Sequence, residues 1–160
     1  MTQRTLIVMR HAKAAWPEGV ADIDRPLSAR GERDARVAGQ VLAELLQPGT
    51  HVLVSPAERT RATWEVVSGT LADAPDAEYA AGIYDAGAAN LRDVLARVLP
   101  ETRCALLIGH NPGCAQLIAD LRRQSDVEAF PTAAIAVLTF TGDWDAPGPV
   151  RLIGLQIPRA

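Results

Sequence analysis

The sequence of 160 residues has little cysteine, no long hydrophobic run and no excess of positive charge. Its two cysteines, Cys104 and Cys114, are too few for the disulfide framework of a small secreted scaffold. No stretch reaches the roughly 18 consecutive apolar residues of a transmembrane helix. The first residues also lack the apolar core and cleavage site of a secretory signal, so we expect a cytoplasmic protein that does not insert into a membrane.

Several kinds of site are absent from the sequence as well. The formal net charge of −3 argues against a general nucleic-acid binder, although it leaves room for a small basic pocket. No spacing of His, Cys and carboxylate residues resembles a metal site, and no glycine-rich loop ends in Lys-Ser or Lys-Thr. We therefore expect no metal and no other cofactor. Asp120, six residues after Cys114, breaks the Cys-x5-Arg spacing of cysteine phosphatases, so both cysteines are predicted to be small core residues.

Hydrophobic residues make up 48% of the chain and charged residues 22%, which is typical of an ordered globular domain. The length suits one domain spanning 1–160. Short apolar runs alternate with segments of helical periodicity, which favours an α/β fold. The predicted strands lie at 5–9, 51–54, 79–83, 104–108, 133–140 and 150–155, and the predicted helices cover 35–45, 64–71, 91–99 and 117–121. We predict a three-layer α/β/α sandwich with a mostly parallel central sheet of about six strands, the last two forming an antiparallel pair at one edge.

Charged residues and histidines follow three of the predicted strands. Arg10 and His11 come directly after the first strand, Arg59 lies just beyond the second, and His110 follows the strand at 104–108. Ligands of parallel sheets bind beyond the carboxyl ends of the strands, so these side chains are expected to meet. Guanidinium groups match the oxygens of a phosphoryl group, and an unprotonated histidine can act as its nucleophile. The pattern predicts a pocket for phosphoryl transfer.

Some polar residues near the strand ends have a structural interpretation. Ser55 and Glu58 have the spacing of a capping box at a helix start. Asn111, which precedes a proline, is predicted to be a helix N-cap. Ser28 and Gly31 look like another helix start, and His51, at the beginning of a strand, is predicted to be structural.

Motifs throughout the chain resemble the histidine phosphatase superfamily, whose fold is called phosphoglycerate mutase-like. The Arg-His pair after the first strand is usually followed by glycine in that family, and Ala12 in its place is common in the SixA-like phosphohistidine phosphatase branch. The similarity covers nearly the whole chain. The matching segments are 6–13, 24–28, 30–31, 54–63, 83–84, 109–113 and 130–137.

The resemblance implies roles for the matching residues. His11 would be the nucleophile that forms a phosphohistidine intermediate. Arg10, Arg59 and His110 would bind the phosphoryl oxygens. Arg25 would line the substrate pocket; the alternative is a surface ion pair with an aspartate at 22 or 24.

The proton donor is the remaining member of this set. Larger relatives use a carboxylate, and Asp85 is the best candidate here; its alternative is a turn residue before Ala86-Gly87. A weak acid favours a phosphohistidine substrate, because the P–N bond is labile and imidazole leaves readily. The short chain leaves no room for a large lid unless residues 17–24 serve, with Lys13 and Trp16 at the rim; Trp16 is equally consistent with core packing.

We therefore expect a phosphatase that removes phosphate from phosphohistidine in a protein, and a site that also binds inorganic phosphate or sulfate. Two alternatives remain open. One is a phosphomonoesterase or mutase of the same superfamily that acts on a small phosphate ester. The other is a phosphoprotein-binding module without catalytic activity.

Overall fold

The structure, a computed structural model, describes residues 2–160. The strands are β1 (Gln3–Arg10), β2 (His51–Val54), β3 (Ala77–Tyr79), β4 (Cys104–Gly109), β5 (Ile135–Asp143), β6 (Ala146–Pro147) and β7 (Arg151–Gln156). The helices are α1 (Ala29–Leu45), α2 (Glu58–Gly69), α3 (Ala88–Ala96) and α4 (Gly113–Leu121), with short 3-10 turns at Asp22–Asp24 and Ala81–Ile83. Within residues 2–160, no helix has the length and apolar character needed to span a membrane.

The sheet is mixed, which corrects the prediction of a mostly parallel sheet. Its seven strands have the order β3-β2-β4-β1-β5-β6, with β7 beside β5. The first four run parallel, whereas β5 runs antiparallel to β1. The direction of β5 follows from the loop before it, because Ala133 N–H donates to the carbonyl oxygens of Arg10 and His11. That loop returns the chain to the carboxyl end of β1, so β5 must run back in the opposite direction.

Side chains of β1 alternate between two hydrophobic cores, as expected for a strand covered on both faces. Leu6 and Val8 pack on the side of α3 and α4. Ile7 and Met9 pack on the opposite side, against α1 and α2. The predicted three-layer α/β/α arrangement is therefore confirmed.

Some predicted boundaries differ from the structure. The segment predicted as a strand up to Ile83 contains only the short β3, followed by the 3-10 turn, and α2 ends before Leu71. The predicted antiparallel pair at the edge is confirmed as β5 and β7. Both cysteines are buried and free, as predicted for core residues. His51 begins β2, with Nε2 3.1 Å from Glu78 Oε1.

The first turn of helix α1 packs against the loop that follows β1. Ser28 is its N-cap, and the hydroxyl accepts a hydrogen bond from Gly31 N–H at 3.0 Å, as the sequence predicts. A Cβ atom at Gly31 would overlap the backbone carbonyl oxygen of Lys13. Glycine is therefore needed for the close approach between α1 and the loop that carries His11.

Candidate active site

Three parallel strands end at the same level and bring the two central histidines together. In the register, Arg10 is paired with Gly109, and His11 N–H donates to the Gly109 carbonyl oxygen at 3.0 Å. The next strand is tied in the same way, because Ser55 N–H donates to the Ile108 carbonyl oxygen at 3.1 Å. The ring centroids of His11 and His110 lie 5.3 Å apart, so the predicted meeting of these residues is confirmed.

His11 is a buried imidazole with a defined hydrogen bond. Its Nδ1 lies 2.7 Å from the Ala12 carbonyl oxygen, and only 6% of the residue is exposed. Burial, reinforced by the nearby His110 and arginines, lowers the pKa of His11 to about 3, so the ring is neutral at pH 7. A carbonyl oxygen can only accept, so Nδ1 carries the proton and Nε2 keeps the lone pair. The second nitrogen is thus the one available for nucleophilic attack.

Buried nitrogen atoms without a hydrogen-bond partner surround this histidine. The Nε atoms of Arg10 and Arg59 and the Nδ1 atom of His110 are buried and have no hydrogen-bond partner among residues 2–160. These three residues and His11 line a cavity of about 490 Å³. Burial first, and then the Arg59 charge, lower the pKa of His110 to about 4. Buried donors cost free energy when they lack an acceptor, so the cluster is suited to an anion with several oxygens.

The carboxylate of Asp22 connects the loop at 17–24 to this cavity. Its Oδ2 accepts hydrogen bonds from Arg59 NH2 at 3.1 Å and from the Tyr84 hydroxyl at 2.7 Å. The Tyr84 bond first, and then Arg59, hold the pKa of Asp22 at about 2, and the same bond raises the pKa of Tyr84. The Tyr84 ring also lies edge-on to His110, with centroids 5.6 Å apart.

Sequence reasoning missed this contribution. Asp22 entered it only as a partner of Arg25, and Tyr84 only as part of a matching motif. The position of Tyr84 after the predicted third strand was the one signal that could have placed it at the site.

Arg25 lies on the cavity wall and also pairs with Asp22. Its Nε donates to the Ala15 carbonyl oxygen at 3.1 Å and its NH1 to Asp22 Oδ1 at 3.3 Å. The guanidinium carbon lies 3.2 Å from the centroid of the Trp16 ring. Trp16 is 76% exposed, so it belongs to the rim of the cavity rather than to the core. Lys13 is also exposed and lines the same cavity.

Asp85 lies in a turn at the opening of the cavity. Its backbone has φ of 54°, a left-handed conformation that aspartate tolerates in turns. The residue is exposed and lines the cavity together with Ala86 and Gly87. The structure is therefore compatible with both interpretations of Asp85, the proton donor and the turn residue.

The predicted capping box at Ser55 is wrong. Helix α2 begins at Glu58, and its N-cap residue is Ala57, without a side-chain hydrogen bond. The Ser55 hydroxyl instead lies 2.7 Å from Nε2 of His110. The turn after β2 places Ser55 under the pocket rather than at the start of the helix.

The predicted N-cap at Asn111 is also wrong, because α4 begins at Gly113 with Pro112 at its N-cap. The Asn111 side chain, one residue before the assigned N-cap, nevertheless accepts a hydrogen bond from the first turn of α4, so its capping role is confirmed while its predicted position is not. Its Oδ1 accepts from Ala115 N–H at 3.3 Å, and its Nδ2 donates to the Phe130 carbonyl oxygen at 2.7 Å. It thus links the loop after β4 to the segment before β5.

The fold and the site together define a class of α/β protein in which a neutral histidine lies beside arginines at the carboxyl edge of the sheet. A model of the histidine phosphatase superfamily (branch 1) matches residues 6–82. The chain is 31% identical to a solved structure described as a putative phosphohistidine phosphatase SixA from Nakamurella multipartita. The TM-score is 0.87, and the alignment covers 100% of this chain and 99% of that one. The chain belongs to the histidine phosphatase superfamily and is SixA-like.

Two further proteins are similar to this chain over nearly its whole length. A putative phosphohistidine phosphatase SixA from Agrobacterium tumefaciens is 26% identical, with a TM-score of 0.82, and the alignment covers 97% of this chain and 98% of that one. An uncharacterized protein of Mycobacterium tuberculosis, Rv1276c, is 39% identical over 94% of this chain and 100% of its own length. Family membership supports phosphatase activity for this chain.

Proposed function

We propose that this protein hydrolyses phosphohistidine in a partner protein and forms a covalent intermediate on His11. The observation that carries the proposal is the hydrogen bond from His11 Nδ1 to the Ala12 carbonyl oxygen at 2.7 Å. It leaves Nε2 with a lone pair at neutral pH, which a nucleophile requires. A module that only binds a phosphoprotein has no need of this arrangement.

The reaction has two steps. The substrate ring carries a proton on the nitrogen that is not phosphorylated, so attack of His11 Nε2 on phosphorus breaks the P–N bond and releases neutral imidazole. Water then attacks the phosphorus of phospho-His11 and loses a proton to solvent, which releases inorganic phosphate and restores the lone pair on Nε2. In both steps negative charge is spread over the phosphoryl oxygens, and Arg10, Arg59 and His110 stabilise it.

The exposed position of Asp85 favours a substrate with a good leaving group. A general acid contributes about a hundredfold or more to a reaction with a poor leaving group such as a serine alkoxide. A phosphohistidine ring that is protonated on its other nitrogen leaves as neutral imidazole, without that assistance. We therefore assign Asp85 as the candidate proton donor for phosphate esters, with little effect on phosphohistidine.

The rim of the cavity supports a protein substrate. Trp16 is an exposed aromatic side chain, and with Lys13 it borders the cavity. An aromatic ring and a basic side chain on an open rim can contact residues that flank a phosphorylated side chain. Two of the similar solved structures are described as putative phosphohistidine phosphatases, which supports the same substrate class.

The test compares a phosphohistidine peptide with a phosphoserine peptide of matched sequence. We expect the wild type to prefer the phosphohistidine peptide and His11→Ala to lose turnover by about a thousandfold or more. His51→Ala is the matched control, because this third histidine lies at the start of β2 and contacts Glu78. A base-quenched reaction analysed by mass spectrometry should contain phospho-His11. Full activity of His11→Ala would refute the mechanism.

Asp85→Asn then separates the two substrates. We expect it to slow hydrolysis of the phosphoserine peptide and to leave hydrolysis of the phosphohistidine peptide nearly unchanged. Equal losses with both peptides would contradict a dispensable acid. Phosphate binding without turnover of either peptide would instead favour the binding module.

A further inference from the structure

The hydroxyl of Ser55 is buried beneath the site and has no role in the mechanism above. Ser55 follows β2 directly and is 0% exposed. Its Oγ accepts a hydrogen bond from Ala57 N–H at 3.3 Å and lies 2.7 Å from Nε2 of His110. Either atom of the 2.7 Å pair can hold the proton between them, and the choice determines whether Nδ1 of His110 donates or accepts a hydrogen bond.

The available acceptors decide the position of that proton. The Ser55 hydroxyl has one hydrogen to donate. Within residues 2–160, the acceptor that lies within hydrogen-bond distance of it is Nε2 of His110. If Nε2 carried the proton, the buried hydroxyl hydrogen would have no acceptor, which is costly away from water. We infer that Ser55 is a positioning residue that donates to Nε2 of His110 and thereby holds the ring proton on Nδ1.

This tautomer suits the proposed phosphoryl site, on whose chemistry the functional part of the inference rests. Nε2 faces Ser55, so Nδ1 is the remaining nitrogen of His110, and it is buried without a partner among the described residues. As an N–H group it adds a donor beside Arg10 and Arg59. The opposite tautomer would direct a lone pair at an anion and repel it. The lowered pKa of His110 agrees with a neutral ring.

Nuclear magnetic resonance tests the tautomer directly, without any need for turnover. The chain has 3 histidines, so a two-bond ¹H–¹⁵N spectrum with ¹⁵N-labelled histidine is simple to assign with His51→Gln and His11→Asn. We expect wild-type His110 to be neutral with its proton on Nδ1, and Ser55→Ala to raise the fraction with the proton on Nε2. A wild-type ring protonated on Nε2 would overturn the inference, and so would a tautomer that Ser55→Ala leaves unchanged.

Thr60→Val is the matched control. The Thr60 hydroxyl shares its one hydrogen between the carbonyl oxygens of Ser55 and Ala57, each 2.8 Å away, so its loss perturbs the same buried turn without removing the donor to His110. Thermal unfolding should show a lower melting temperature for Thr60→Val, while the tautomer of His110 stays as in the wild type. An equal tautomer shift in Thr60→Val would assign the effect to the turn and refute the role of the hydroxyl.

Binding of inorganic phosphate, measured by calorimetry, gives the functional consequence. We expect Ser55→Ala to bind phosphate about tenfold more weakly, the size of one hydrogen bond to a charged group, and Ser55→Thr to restore part of the affinity. Unchanged affinity in Ser55→Ala would refute the functional role. If the tautomer is as inferred but neither peptide is hydrolysed, the proposed function fails while the role of Ser55 stands.

Discussion

Acidification from about pH 7 to pH 5 should destabilise the folded protein through its two central histidines. Burial lowers the pKa of His11 to about 3 and that of His110 to about 4 in the folded state. In the unfolded chain both rings take up protons near the ordinary pKa of about 6.5. The unfolded state therefore binds more protons in this range. The stability that the neutral rings contribute is present above about pH 6.5 and is lost as the pH falls toward the folded values.

The size of the effect follows from the width of that range. Each pH unit is equivalent to about 1.4 kcal/mol per proton, and pH 5 lies about 1.5 units below the unfolded pKa. Each histidine thus accounts for a loss of about 2 kcal/mol, and the pair for about 4 kcal/mol, in the free energy of unfolding. That loss is a large part of the roughly 5–15 kcal/mol that stabilises an ordinary domain.

Urea unfolding at several pH values measures this loss. The buffers must be free of phosphate and sulfate, because an anion bound among Arg10, Arg59 and the histidines would stabilise the folded state. The control is the double variant His11→Asn/His110→Asn, which keeps every carboxylate of the protein. We expect its free energy of unfolding to fall by about 4 kcal/mol less than that of the wild type between pH 7 and pH 5. Equal losses in the two proteins would show that the histidines are not held neutral in the folded state.

Two substitutions test other contacts of the site. Asp22→Asn removes a negative charge from beside Arg59, so it should bind inorganic phosphate about threefold more tightly in calorimetry, within the range of a partly exposed ion pair. Asp24→Asn, in the same exposed turn, is the control, and weaker binding by Asp22→Asn would show that the carboxylate mainly orients the guanidinium. Gly31→Ala should lower the free energy of unfolding by about 2 kcal/mol, because its Cβ overlaps a backbone carbonyl. Gly69→Ala, where nothing lies within 4 Å of the added Cβ, should instead stabilise the protein by about 0.5 kcal/mol in the same urea experiment, and equal effects of the two substitutions would contradict the packing argument.

Much of the fold and of the site could be predicted from local sequence. The continuous apolar run of β1 indicates a strand buried on both faces, and the alternation of strands with amphipathic segments indicates helices on either side. Because parallel strands end at one edge, residues directly after them, such as His11 and His110, could be expected to meet. Their ring distance of 5.3 Å agrees with that expectation.

Local sequence patterns do not predict structural features that depend on residues far away in the chain. A buried strand has the same composition in either direction, so the apolar run of β5 could not reveal that it lies antiparallel to β1. The spacing of Ser55 and Glu58 matches a capping box whether or not the helix begins there. Asp22 and Arg59 are separated by 37 residues, and no spacing rule connects a loop carboxylate with a helix so far along the chain.

Local apolar patterns encode where the strands end, and they therefore indicate which residues lie at the carboxyl edge of the sheet. The protonation of that edge depends on contacts that form only in the folded protein. Burial keeps the two rings neutral, the Ala12 carbonyl oxygen selects the proton position on His11, and the Ser55 hydroxyl lies against His110. Each of these effects depends on exclusion of water and on a hydrogen-bond partner within about 3 Å, and both exist only after the strands have paired.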